Sequence, residues 1–153
     1  MSAQHISSPR PVVVLIVEDN EADSHLTTTA LRDARIANEV HIVKDGEDAI
    51  GYLKREGPYR NAIRPDLVLL DLNLPRKDGF QVLETMKADA RLKNIPVVVV
   101  SGSDRSSDIA RAYDLQVAAY LVKPSNVDEY FSAIRAIKEL WFHTVAPPPA
   151  AVE

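Results

Sequence analysis

Glu18 and Asp19 follow the apolar run Val12–Val17, Asp71 follows Leu67–Leu70, Ser101 follows Val97–Val100, and Lys123 follows Tyr120–Val122. Each polar group thus stands at the carboxyl end of a short run of the kind that forms a buried strand. In a parallel α/β sheet the carboxyl ends of all strands open onto one edge, where ligands bind. Three carboxylates, a hydroxyl and an ammonium would then converge on one site. Carboxylates so crowded repel one another, and a hard divalent cation removes that cost. Mg²⁺ in particular binds through one or two carboxylates, a carbonyl, waters and phosphate oxygens, so the set suits Mg²⁺ together with a phosphoryl group. Taken singly, these residues have ordinary local uses: Asp19 or Asn20 as a helix cap, Asp71 as the start of a turn, Lys123 as a solvated turn lysine. Their recurrence at matching strand ends is what points to chemistry.

The elements that must position them are legible in the same pattern. Five apolar, largely β-branched runs bounded by turn residues read as strands buried on both faces: Val12–Val17, Glu39–Val43, Leu67–Leu70, Val97–Val100 and Ala119–Val122. Helix-length segments of mixed polarity alternate with them at Glu21–Ala34, Gly46–Arg55, Gly79–Ala88, Ser106–Tyr113 and Val127–Phe142. Right-handed crossovers force such a chain into an α/β fold, a five-stranded parallel sheet with helices on both faces, and the flavodoxin-like order 2-1-3-4-5 is the expected one. That order sets the ends of the first and third strands side by side, so Glu18, Asp19 and Asp71 become neighbours.

Composition excludes several function classes. The 153 residues suffice for one domain with a full core, and 18 basic against 22 acidic residues leave a formal charge of -4, with no basic run to track nucleic acid. There is no cysteine, hence no disulfide framework, thiolate metal site or cysteine nucleophile. The four histidines, at 5, 25, 41 and 143, are not paired at metal-ligand spacing. No apolar segment approaches the roughly 18 residues of a membrane span, and Met1–Pro11 lacks the pattern of a secretory signal. A cytoplasmic protein is expected, with residues 1–11 as a disordered lead-in, 12–142 as the domain and 143–153 as a proline-rich tail or an arm on a second subunit.

The residues quoted resemble those of the receiver domain of two-component response regulators, the CheY-like fold, from Val12 to about Phe142. The resemblance rests on Glu18-Asp19, on Asp71-Leu72-Asn73-Leu74-Pro75 followed by Asp78-Gly79, on Ser101, on Tyr120, and on Lys123-Pro124. Asp71 lies equally far along the chain from Asp19 and from Lys123, as the family's spacing has it. The decorated run Asp71–Gly79, the lengthened segment Gly57–Pro65 and the absence of an output domain are similar to stand-alone regulators that accompany bacterial phytochrome kinases.

The resemblance implies that Asp71 is the phosphoacceptor, that Asp19, Asp71 and the Asn73 backbone carbonyl hold Mg²⁺, that Glu18 acts through water, and that Lys123 neutralises the transferred group. It implies a switch in which the Ser101 hydroxyl moves toward the phosphoryl group and Tyr120 rotates behind it, reshaping the face of the fourth helix, fifth strand and fifth helix. A sensor histidine kinase, of phytochrome type in this subfamily, would dock along the first helix near Ala22, His25 and Leu26. Two departures stand out: Ser101 where threonine is commoner, and Ser125 where phenylalanine is, the latter fitting a helix cap with Asp128 three positions on.

On a helical wheel Val127, Tyr130, Phe131, Ile134, Ile137, Leu140, Trp141 and Phe142 cover about 200° of the last helix, twice the stripe that packing on a sheet needs. With Leu115, Val117 and Tyr120 they form a candidate homodimer patch, which Trp141→Asp is expected to weaken. Two other readings compete with the signalling module, which phosphorylates itself but is not a metabolic enzyme. A haloacid-dehalogenase-like phosphohydrolase needs a second carboxylate where Asn73 stands, and an amide cannot shuttle a proton. A pseudo-receiver, folded alike but serving only as an interaction scaffold, has no use for intact Asp71, Asp19 and Lys123.

Overall fold

In a computed structural model, residues 12–34 and 39–139 are described. The chain runs β1 (Val13–Val17), α1 (Glu21–Asp33), β2 (Glu39–Val43), α2 (Gly46–Lys54), a 3-10 turn (Gly57–Tyr59), β3 (Leu67–Leu70), α3 (Gly79–Ala88), β4 (Val97–Ser101), α4 (Ser106–Asp114), β5 (Ala119–Val122) and α5 (Val127–Glu139). All four strand pairings are parallel and the order is β2-β1-β3-β4-β5, as expected. The 3-10 turn lies in the lengthened segment that the sequence pattern left without structure. There Pro58 suits the first turn of a helix, and the Tyr59 ring sits 5.6 Å from that of Tyr52.

Successive side chains of a strand point to opposite faces, and two cores follow from that alternation. Leu15, Val17, Val68, Leu70, Val97 and Val99 pack with Tyr52 and Leu53 of α2, Leu83 and Met86 of α3, and Ala112 of α4. Val14, Ile16, Leu67, Leu69, Val98 and Val100 pack with Ala30 and Leu31 of α1 and Tyr130 and Ile134 of α5. Only β1, β3 and β4 are buried along their whole length; β2 and β5 are edge strands and half-exposed, with Ile42 and Val122 facing solvent. The expectation of five strands buried on both faces is therefore corrected for the two at the edges, which have a neighbour on one side only.

The caps fix how each loop enters its helix. Asn20 caps α1 through the Asp23 N–H, Asp45 caps α2 through the Asp48 N–H, and Asp78 and Gln81 form a reciprocal capping box on α3. At α5 the cap is Asn126, whose Oδ1 accepts from the Glu129 N–H at 2.8 Å, and not Ser125 as the sequence suggested. Ser125 and Asn126 are both good caps by type, and the helix begins one residue later than the serine required.

Among the described residues no helix is long and apolar enough to cross a membrane. The expected lead-in, the proline-rich tail, and Leu140, Trp141 and Phe142 of the candidate dimer patch lie outside the described residues. Within that patch, Tyr130, Ile134 and Val117 are buried in the two cores, and Leu115, Phe131 and Ile137 pack against them. Of that patch Val127 is exposed, at 54%, and among the described residues the other large exposed apolar side chains on this side are Tyr113 and Val122, at 50% and 37%.

Candidate functional site

The carboxyl ends of β1, β3, β4 and β5 bring the predicted residues to one edge. Glu18 and Asp71, both buried, and exposed Asp19 each present a carboxylate oxygen within 4.8 Å of the others. The switch point makes this proximity, since β1 and β3 pair directly, Val17 opposite Leu70, and the Asp71 N–H donates to the Val17 carbonyl at 3.0 Å. Because Asn20 caps α1, Asp19 is left free of that duty and faces the site.

Lys123 reaches across the cluster. Its Nζ donates to Glu18 Oε1 at 2.7 Å, to Asp23 Oδ2 at 2.8 Å and to Asp71 Oδ2 at 3.2 Å. The other carboxylate oxygens of Glu18 and Asp71 take backbone donors: Asn20 N–H on Glu18 Oε2 at 3.2 Å, and Asn73 N–H on Asp71 Oδ1 at 3.1 Å. The turn role read for Asp71 is thus real and coexists with its place in the cluster. Burial pushes the Glu18 carboxyl up to about 7, the Lys123 hydrogen bond pulling against it and the Asp71 charge adding to it. Burial works against the Lys123 charge too, but hydrogen bonds to Asp23 and Glu18 and the nearby carboxylate charges outweigh it and hold the ammonium above the usual lysine range.

Glycine is required beneath the cluster. A Cβ at Gly79 would fall 2.6 Å from the Asp71 carbonyl oxygen and the Leu72 Cα, so α3 can begin this close to Asp71 only without a side chain.

Ser101 is fully buried at the end of β4, where its Oγ accepts from the Ser103 N–H at 3.1 Å. Ser103 in turn donates from Oγ to Asp108 Oδ2 at 2.6 Å, and its carbonyl accepts from the Tyr120 hydroxyl at 2.8 Å. Ser101 and half-buried Tyr120 are therefore joined through one loop. An open cleft of about 520 Å³ lies beside the cluster, with Asp19, Asn73 and Pro75 on one wall and Arg105, Asp108 and Arg111 on the other.

Two participants escaped the sequence reading. Asp23 looks like an ordinary acidic residue of a helix's first turn, where a negative charge is favourable in any case. Ser103 has no distinguishing local signal. Both act through partners distant in the chain, and only the folded sheet brings those together.

The oxygen-only donor set fits a hard divalent cation. No other group of three or more His, Asp or Glu residues among those described is so placed. His25 is exposed, and His41 pairs with Glu39 at 2.8 Å.

The profile of the response regulator receiver domain matches residues 14–135. The response regulator Rcp1 of Synechocystis is 43% identical over 140 residues, covering 92% of this chain and 95% of that protein. The crystal structure of the phosphorylated cyanobacterial phytochrome response regulator RcpA superposes with a TM-score of 0.86 at 46% identity, over 92% of this chain and 100% of the other. That of the Mn²⁺-bound form of Rcp1 superposes with a TM-score of 0.85 at 42% identity, over 91% and 100%.

Proposed function

The chain belongs to the response regulator receiver family, and we propose that it is a single-domain regulator that accepts a phosphoryl group on Asp71 from a phytochrome-type sensor histidine kinase. The observation that carries this reading is the convergence of Glu18, Asp19, Asp71 and Lys123 on one edge of the sheet, with the Ser101 hydroxyl at the end of the adjacent strand. The similarity to a phosphorylated phytochrome response regulator and to the Mn²⁺-bound form of another response regulator supports it.

Asp71 is the nucleophile. One of its carboxylate oxygens attacks phosphorus and forms a P–O bond, while the P–N bond of the kinase phosphohistidine breaks and its electron pair leaves on the ring nitrogen. Asp19 and Asp71, with the Asn73 carbonyl, would hold Mg²⁺, and Glu18 would act through water. When bound, the cation supplies Lewis-acid neutralisation of charge on the phosphoryl oxygens. Lys123 would bring a positive charge of its own to the transferred group, its ammonium being held above the ordinary lysine range. The Ser101 hydroxyl, on giving up the Ser103 N–H, becomes a donor to the phosphoryl group. The loop that Tyr120 grips then shifts with it, which changes the α4-β5-α5 face. Hydrolysis breaks the acyl phosphate: water attacks phosphorus, the P–O bond to Asp71 breaks, and the Asp71 carboxylate leaves with its electron pair as inorganic phosphate is released.

The kinase docks on α1, where Ala22 and His25 are exposed and Leu26 is half-buried. A second copy of the chain docks on the face that carries Tyr113, Val122 and Val127. The reaction takes place in the cytoplasm, where the kinase's ATP is.

The decisive experiment is intact mass after incubation with Mg²⁺ and acetyl phosphate or a phosphorylated kinase. The chain gains one phosphoryl group, and Asp71→Asn gains none. An unchanged mass makes it a pseudo-receiver scaffold, and catalytic consumption of a phosphomonoester makes it a hydrolase.

A further inference from the structure

Of the three carboxylates bonded to Lys123, Asp23 alone stands outside the Glu18-Asp19-Asp71 cluster. An ammonium has three N–H donors, and here each is directed to a different acid. The bonds to Glu18 and Asp23, at 2.7 and 2.8 Å, are shorter than the 3.2 Å bond to Asp71. The lysine therefore rests mainly on the two residues that are not its phosphorylated partner.

Those two differ in what they can do during transfer. Glu18 belongs to the acidic cluster, and its charge is needed there once a cation enters. Asp71 becomes an acyl phosphate, and Lys123 must turn a donor to a phosphoryl oxygen. Asp23 is claimed by neither change. It is also well braced: its own N–H is tied to Asn20 Oδ1 at 2.9 Å. One turn further along the same face of α1, Thr27 hydrogen-bonds the buried Tyr130 hydroxyl of α5. A lysine is a charge on a long flexible stem, and a functional group acts well only when its neighbours hold it.

We propose that Asp23 is a positioning residue for phosphoryl transfer, an anchor that keeps the Lys123 ammonium within reach of Asp71 while Glu18 and Asp71 change partners; the inference rests on the reading of the site given above. Asp23 itself touches neither the phosphoryl group nor the metal.

The test compares Asp23→Ala, Asp23→Asn, Lys123→Ala and the double variant Asp23→Ala/Lys123→Ala in the full chain. The initial rate of phosphoryl gain from acetyl phosphate at saturating Mg²⁺ is read by intact mass, and Mg²⁺ affinity by calorimetry. Asp23→Ala slows the gain roughly tenfold, within what a displaced group costs a reaction, and leaves the Mg²⁺ affinity within about twofold. Asp23→Asn, which keeps an acceptor without the charge, is intermediate. In the Lys123→Ala background the Asp23 substitution costs nothing more, because residues that act through one contact are non-additive; a merely structural role would cost the same in both backgrounds. Should Asp23→Ala fail to fold, Asp23→Asn with its unchanged shape carries the comparison. The proposal is overturned if both variants react within about twofold of wild type, if the loss persists undiminished without Lys123, or if Mg²⁺ affinity falls in step with the rate. A wild-type chain that gains no phosphoryl group removes the reading of the site and the anchor with it, an outcome distinct from loss of the anchor alone.

Discussion

Asp71 and Glu18 are both buried carboxylates sharing one lysine, and the Asp71 charge adds to what burial already makes of Glu18's ionisation in metal-free protein. Removing the charge at position 71 relieves its repulsion by both Glu18 and Asp19, whose carboxylate oxygens lie within 4.8 Å, against the loss of charge in the longest of the lysine's three bonds, at 3.2 Å. Asp71→Asn is therefore expected to stabilise the metal-free chain by on the order of 1 kcal/mol, a rise in Tm of about 2–4 °C for a domain of this size. A lower Tm in chelator would contradict this. Glu18 adds a pH dependence whose sign is set by its raised folded value. Its native state holds a proton more tightly than the unfolded chain does, so its contribution to stability is full below about 4.5 and is lost as pH rises to about 7. In chelator, the Tm of wild type should thus fall relative to that of Glu18→Gln across this window, and parallel curves would refute the shift. That Glu18, Asp19, Asp71, Ser101 and Lys123 would gather at one edge was legible in the sequence because each follows a strand run, a local signal, whereas Asn73 and Tyr120 entered only through the resemblance to the receiver family. Asp23 was not legible, because its partner Lys123 lies a hundred residues away.

Two elements that are far apart in the chain behave as one unit around the β3–α3 loop. Gly46, which opens α2, lies so close under this loop that a Cβ there would stand 1.8 Å from the Lys77 carbonyl oxygen. The Gly46 N–H donates to the Pro75 carbonyl at 3.4 Å, and Arg76, itself at φ 71°, pairs with Asp45 and Glu47 of the same helix start. Gly46→Ala must push backbone aside, and overpacking of this kind costs about 1–3 kcal/mol. The displaced loop carries Asn73, so affinity for Mg²⁺ falls as well, whereas Arg76→Lys, which loses only exposed ion pairs, changes stability by less than about 1 kcal/mol. Urea unfolding and Mg²⁺ calorimetry on the two variants check both statements, and a Gly46→Ala chain with wild-type midpoint and affinity would sink the first. The sequence pattern showed where α2 and α3 begin but not that the loop before one crosses the start of the other. Helix starts are written locally in caps; a crossing is a property of the closed fold.

Over the whole molecule, the sheet leaves apolar surface where its edges meet the helices. Strand runs and helical spacing foretold the order of the sheet and, in Val127, one exposed apolar residue of the last helix, but not Val122 or Tyr113. The reason is geometric: α5 packs Tyr130 and Ile134 inward and turns Val127 outward, the edge position of β5 exposes Val122, and Tyr113 of α4, itself exposed, accepts from the Tyr120 N–H of that strand. Tyr113 and Val122 lie on α4 and β5, which Ser103 ties to Ser101 through Asp108 and Tyr120, so a phosphoryl group at Asp71 and a second chain on this face should act on one equilibrium. By linkage, whatever tightens the dimer when Asp71 is modified must also favour modification in the dimer. Sedimentation with Mg²⁺ and beryllofluoride, a stable phosphoryl mimic, should show tighter self-association than with Mg²⁺ alone. Val127→Glu, which places a charge at a position already in water, should weaken association at least tenfold, about 1.4 kcal/mol, while changing monomer stability by less than about 0.5 kcal/mol. A dimer indifferent to Val127→Glu would have to use another surface, and a chain monomeric at tens of micromolar with the mimic bound would leave the α4-β5-α5 face to a different partner.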